Sequence, residues 1–257
     1  MGLHNFHKLA FLVLVLCCIP VAYGWGIDGH LIVCRLAQPR LSKSAADAVS
    51  QLLPAYADND LGSLCSWADR VKFRYHWSSP LHYIDTPDNL CTYQYKNNLT
   101  EALLFLSHFI GDIHQPLHVG FTSDRGANTI DVRWYRRKEV LHHVWDSNII
   151  ETAEKRFYDS NVEELIDTLQ KNITTVWSKQ AKAWEACAKT ACPDTIQLLS
   201  YRYASEGIKA ACDWAYKGVE EGSVLDDDYF LSRLPVVNLR LAQGGVRLAA
   251  TLNRIFG

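Results

Sequence analysis

Two histidine–aspartate pairs with a common spacing carry the most chemical information in this chain. His108 and Asp112 are four residues apart, and so are His142 and Asp146. On a helix that interval stacks an imidazole and a carboxylate on one face. His118 follows two residues after Pro116, past the point where a helix through Asp112 should end. Imidazole nitrogen and carboxylate oxygen are donors that Zn²⁺ accepts, at about 2.0–2.2 Å. A single pair is commonplace as a surface ion pair. Two pairs, with further His and Asp nearby, point to metal-dependent hydrolysis. Helical spacing leaves one choice open, since His143 lies within reach of Asp146 as well.

Such donors need rigid elements to hold them, and the apolar pattern is mostly helical. Helical spacing runs from Ser44 to Leu53 and stops at Pro54. Asn98 and Glu101 read as an N-cap and its box partner for a helix that leads into His108 and Asp112. Leu141 to Phe157, Val162 to Leu169 and Tyr203 to Tyr216 each carry a helical apolar stripe. Tyr229 to Phe256 reads as helix interrupted near Pro235 and Gly244-Gly245. Ile130, Val132 and Trp134 alternate with polar neighbours and predict one small β-hairpin. The expected fold class is all-α, a mostly helical single domain with that hairpin.

Residues 1–24 read as a secretory signal. Lys8 precedes the apolar run Leu9–Val21, and Ala22-Tyr23-Gly24 supplies a small-x-small cleavage site. The run is short for a membrane span and no later segment reaches about 20 apolar residues, so no membrane anchor is expected. Cleavage after Gly24 leaves residues 25–257, enough for one well-buried domain, and no linker or repeat divides them. The whole chain has 26 basic and 28 acidic residues, and loss of Lys8 takes the net charge from −2 to −3. Gripping nucleic acid by a basic surface alone is thereby excluded. Cys34, Cys65, Cys91, Cys187, Cys192 and Cys212 remain after cleavage, an even number in an oxidising compartment, and disulfides are expected. Asn98 and Asn172 head glycosylation sequons.

Cleavage would also expose Trp25 as a new N-terminus, whose α-amine titrates low enough for a metal to displace its proton. With Trp25-Gly-x-x-Gly-His30, the motifs Cys65-Ser-Trp-Ala-Asp69, Pro80-Leu-His82-Tyr-Ile-Asp85, the His108–His118 run and Leu141-His142-His143-Val-Trp-Asp146 make the chain resemble the S1/P1 nuclease family. The resemblance is to the plant members of that phospholipase C-like helical fold and covers nearly all of residues 25–257. It implies a zinc-dependent endonuclease that cuts single-stranded DNA and RNA to 5′-phosphorylated products and also hydrolyses nucleoside 3′-monophosphates. It implies three zinc ions. Asp69, His82, His108 and Asp112 match the ligands of one, and Trp25, His30 and Asp112 those of a second. His118, His142 and Asp146 match the third, the family motif favouring His142. Three dications would give a positive pocket on a mildly acidic protein.

The same resemblance assigns catalytic roles to Asp69 and Lys72, and a base pocket to Tyr83 and Asp85. Read without it, Lys72 would be a solvated surface lysine. The resemblance also implies the pairings Cys34–Cys65, Cys187–Cys192 and Cys91–Cys212, a monomer, and a secreted or vacuolar destination. His76 and His114 match no ligand position and read as structural. Two departures stand out. Plant members carry some three to four dozen more residues between Tyr95-Lys96 and Asn98, and Ile196–Arg202 looks inserted. Two other readings compete: a zinc phospholipase C-like phosphodiesterase, and an inactive, truncated secreted glycoprotein.

Overall fold

The computed structural model describes residues 25–75, 78, 99–189 and 196–257. Helix α1 (Ile27–Ala37) starts two residues after Trp25 and buries His30, Val33, Cys34 and Ala37. Helix α2 (Lys43–Leu52) is capped by Ser42, whose hydroxyl accepts the Ala45 N–H at 3.3 Å, and it ends before Pro54 as its pattern predicts. The short α3 (Trp67–Val71) carries Asp69, and α4 (Leu99–Asp112) carries His108 and Asp112. A disulfide between Cys34 and Cys65 ties α1 to the turn that leads into α3.

The hairpin forms where alternation places it. Strands β1 (Asp131–Trp134) and β2 (Arg137–Val140) pair antiparallel, from Asp131 opposite Val140 to Trp134 opposite Arg137. Tyr135 turns the chain in the left-handed region, at φ 55°. The sequence pattern missed β3 (Val224–Leu225), two residues that pair parallel with the other side of β1. So short a strand has no period to read.

After β2 the chain enters α5 (Leu141–His143), widens into a π-turn (Val144–Asn148) and continues as α6 (Ile149–Phe157). Helices α7 (Val162–Thr174), α8 (Ser178–Lys189) and α9 (Ile196–Ala210) follow, and a second π-turn (Ala211–Ala215) closes α9. The last helix, α10 (Asp227–Phe256), is 30 residues long and unbroken, which corrects the expected interruptions at Pro235 and Gly244-Gly245. Its burial explains both. Val237, Leu241, Leu248 and Leu252 lie in the core, and that packing outweighs the hydrogen bond that Pro235 cannot make. A Cβ on Gly245 would lie 3.1 Å from the Val33 carbonyl, with Leu36 nearer still. The glycines thus let α1 approach α10 closely, offsetting their propensity deficit of about 1 kcal/mol each.

Candidate metal centre

The ends of α1, α3 and α4 bring their polar residues to one buried place. His30 Nε2 lies 3.3 Å from Asp112 Oδ1 and 4.0 Å from Asp69 Oδ2. From α4 itself, His108 Nε2 lies 3.2 Å from Asp112 Oδ2 and 3.8 Å from Asp69 Oδ2. The His30 and His108 rings stack with centroids 3.8 Å apart. Glycine makes this possible, because a Cβ on Gly111 would sit 2.8 Å from His30 Nδ1. Trp25 is fully buried beside them, and Gly29 leaves room for it.

A second group forms where α4 ends. Gln115 caps the turn from Pro116 to Val119 by accepting the Leu117 N–H, and its amide donates to Asp146 Oδ1, both at 2.5 Å. That turn aims His118 at both acids: Nδ1 lies 3.8 Å from Asp112 Oδ1, and Nε2 lies 3.8 Å from Asp146 Oδ1. His142 Nε2 lies 3.3 Å from Asp146 Oδ2. Of the two neighbouring histidines, His142 is the one that faces Asp146; the His143 side chain is 43 % exposed and turns toward Glu139. Asp146 sits within the π-turn, a distortion frequent at functional positions.

The charges and tautomers suit a cation. His108 Nδ1 donates to the Cys65 carbonyl at 2.9 Å, and His142 Nδ1 donates to the Gly126 carbonyl at 2.5 Å. A carbonyl only accepts, so in the neutral ring each Nε2 is a lone-pair donor facing the carboxylates. Burial would lower His108, but Asp112 and Asp69 raise it above its ordinary value, and a cation must displace that proton. Burial, reinforced by His108, lowers His30 to about 4 and keeps it neutral. Among the described residues, neither ring nitrogen of His30 has a hydrogen-bond partner of good geometry. Burial alone would raise Asp112, yet the facing His108 and His118 hold it well below the usual carboxylate range. Asp146 is pushed well above that range by burial, with Asp112 and Asp69 adding repulsion that Gln115 only partly offsets. Three buried acids crowded among imidazoles call for positive charge. The donors His30, His108 and Asp112 lie within 4.8 Å of one another, as do those of His118, His142 and Asp146. Both groups therefore fit a metal ion.

Lys72 corrects its plain sequence reading. It is only 6 % exposed, with Nζ 3.8 Å from Asp69 Oδ1. Burial lowers its pKa, while Asp69, Asp112 and Asp146 oppose the shift. The Gly26 N–H donates to the Asp146 carbonyl at 2.9 Å, which joins the Trp25 end to the second group.

Comparison with known proteins agrees with this chemistry. The S1/P1 nuclease family profile matches residues 25–99 and 90–257. The chain belongs to the S1/P1 nuclease family. As such it is a hydrolase of phosphodiester bonds. The nuclease is 56 % identical to Endonuclease 2 of Arabidopsis thaliana, over all of this chain and 98 % of that protein. It is 50 % identical to Endonuclease 4 of Arabidopsis thaliana, over 90 % of this chain and 89 % of that protein. With Nuclease P1 of Penicillium citrinum it shares 30 %, over 91 % of this chain and 98 % of the other. The alignment with Endonuclease 2 runs to 294 positions, so that relative has at least 37 positions that these 257 residues lack. The two family matches meet within residues 90–99, where the sequence reading puts the missing segment.

Of the residues expected at the nuclease's site, Trp25, His30, Asp69, Lys72, His108, Asp112, His118, His142 and Asp146 gather here. His82, Tyr83, Asp85, Cys91, Asn98 and Cys192 lie outside the described residues, as does the side chain of Cys187. Cys212 is exposed and has no disulfide among the described residues. Asn172 is half-buried near the end of α7. Among the described residues no helix is long and apolar enough to cross a membrane.

Sequence reasoning missed the supports. Gln115, Gly111 and the carbonyls of Cys65 and Gly126 orient the donors, yet only Gln115, a polar residue directly before Pro116, had a readable signal. His114 is structural, as expected, but within a network that no pattern announced. The buried Arg247 Nη1 donates to His114 Nε2 at 2.9 Å, and Arg240 Nε donates to the His114 carbonyl at 3.0 Å. Both arginines share Glu206. They clamp the turn between Asp112 and His118 onto α9 and α10.

Proposed function

We propose that this chain is a zinc-dependent endonuclease that cuts single-stranded DNA and RNA to 5′-phosphorylated products, and that it also hydrolyses nucleoside 3′-monophosphates. The observation that carries this reading is the sharing of Asp112: His30 and His118 both face its Oδ1, and His108 faces its Oδ2. A carboxylate so placed suits bridged ions. In this reading Asp69, His82, His108 and Asp112 hold one zinc, and Trp25, by its freed amine and carbonyl, holds a second with His30 and Asp112. His118, His142 and Asp146 hold the third.

Bound zinc would acidify a water and offset the charge of the phosphate during in-line attack. The remaining work falls to the chain's own groups. Asp69 accepts a hydrogen bond from the attacking water and orients it. Lys72, held beside Asp69, donates from Nζ to the phosphate oxygens as charge builds on them. Tyr83 stacks on the base and Asp85 accepts from its edge, and stacking on a ring requires an unpaired base. The Cys34–Cys65 disulfide supports passage through an oxidising, secretory compartment, and secretion or vacuolar delivery as a monomeric glycoprotein follows in this reading.

The test is zinc content of the purified protein starting at Trp25, measured with release of acid-soluble nucleotides from single-stranded DNA. About three zincs per molecule with cleavage abolished by EDTA is the expected result. Substoichiometric zinc and no cleavage from folded protein would overturn it, leaving inherited ligands without an assembled site. Release of phosphocholine from lecithin, with DNA left intact, would point instead to the phospholipase C-like reading.

A further inference from the structure

The loop that follows His118 carries an aromatic pair that the metal centre does not use. Phe121 and Tyr216 stack with ring centroids 4.7 Å apart and 24° between planes. Phe121 is 45 % exposed, so an apolar ring is held in solvent with Tyr216 beneath it. The support is rigid. Tyr216 Oη accepts the Phe121 N–H at 3.1 Å and donates to Asp124 Oδ1 at 3.1 Å. Gly120 admits no side chain there, because a Cβ would meet Tyr216 Oη at 2.6 Å.

The pair is also coupled to the centre. Gly126 donates its N–H to the Phe121 carbonyl at 2.9 Å and accepts from His142 Nδ1 at 2.5 Å, so one residue fixes both. Phe121 is three residues from His118, which limits the Cα separation to about 10 Å. Arg125 and Lys217, both exposed, flank the rings in sequence. An exposed aromatic face on a segment that carries basic residues is what a single strand needs, with a base stacking and phosphates drawn by charge.

We propose that Phe121, backed by Tyr216, is a stacking subsite for an unpaired base of the substrate strand, built from residues other than Tyr83 and Asp85 and on the side of His118 and His142. The proposal rests on the nuclease reading and extends it to a length of strand beyond the scissile phosphate. A single-stranded substrate long enough to reach the ring gains a stack that a dinucleotide does not.

The experiment compares KM and kcat of the zinc-loaded protein with those of Phe121→Leu, Phe121→Ala and Phe121→Trp, on a long thymidine oligonucleotide and on a dinucleotide. Leucine keeps apolar bulk without a π face, and tryptophan keeps the face. The expected result is a KM on the oligonucleotide raised roughly 5- to 150-fold in the leucine and alanine variants, the factor one base–aromatic stack contributes. The expected kcat is unchanged, the penalty should shrink as the strand is shortened, and tryptophan should restore the KM. An unchanged KM in Phe121→Leu would overturn the proposal, as would an equal penalty on the dinucleotide. A change in oligomeric state with unchanged KM would make this face a protein contact instead, also against the proposal. Wild-type protein that cuts neither substrate would remove the nuclease reading, and this one with it.

Discussion

Gly111→Ala tests how closely the centre is built. Gly111 lies in α4 one residue before Asp112, and a Cβ there would stand 2.8 Å from His30 Nδ1 and 3.1 Å from Cε1. Restoring an ordinary contact of 3.4 Å requires the ring to move about 0.6 Å. It cannot slide away freely, because the His108 ring is stacked at 3.8 Å. For folding, the terms partly cancel: overpacking costs about 1–3 kcal/mol and Gly→Ala inside a helix returns about 1 kcal/mol, a net loss of about 0–2 kcal/mol. For metal binding they do not, since ligand distances tolerate only about 0.2 Å. On the zinc reading proposed above, the variant should therefore fold but hold the metal on the order of 100-fold more weakly. Thermal melts with EDTA should stay within about 2 kcal/mol of wild type, whereas the stabilisation by added zinc should fall by a further amount of about 2.7 kcal/mol. Chelator competition measures the same loss directly. Zinc affinity equal to wild type in Gly111→Ala would show that His30 is not a ligand, or that its ring is not confined as described.

Three further outcomes follow from charge and covalent constraint. Glu154, half-exposed on α6, is raised to about 7 by burial, Asp28 and Glu151. The folded state then keeps a proton that the unfolded chain has lost, so stability declines as pH rises from about 4.5 through 7. After discounting for solvent screening, Glu154→Gln should gain on the order of 1 kcal/mol at pH 8 and nothing at pH 4, checked by urea melts at both. Glu206→Gln removes a carboxylate that Arg240 and Arg247 share, and should destabilise by about 3 kcal/mol in urea. A loss below about 1 kcal/mol would mean that the carbonyls and Gln243 satisfy the arginines unaided. Replacing Cys34 and Cys65 by Ala opens a loop closed over a separation of 31 residues, for an expected loss of about 3–4 kcal/mol. Because the Cys65 carbonyl orients His108, zinc affinity in that double variant should fall as well.

Much of the donor set was legible in the sequence, for a definite reason. His108–Asp112 and His142–Asp146 are local relations, and helical geometry brings such pairs together whatever the rest of the chain does. Amphipathic periods likewise located α2, α7 and the hairpin, because each buries one face. What periodicity cannot express is approach between elements distant in sequence. It marked Gly244 and Gly245 as a break, whereas the partner helix α1 needs their bareness to pack against α10. It left His142 and His143 equivalent until packing buried one against Asp146 and left the other exposed beside Glu139. It made Lys72 a surface residue, and gave no hint that Arg240 and Arg247 grip the turn beneath His114. The sequence by itself determined which side chains could serve as metal donors, since that is a matter of chemistry and local spacing. The tertiary structure alone decided that Asp112 stands between His30, His108 and His118, because burial of three helix ends against one another sets those distances.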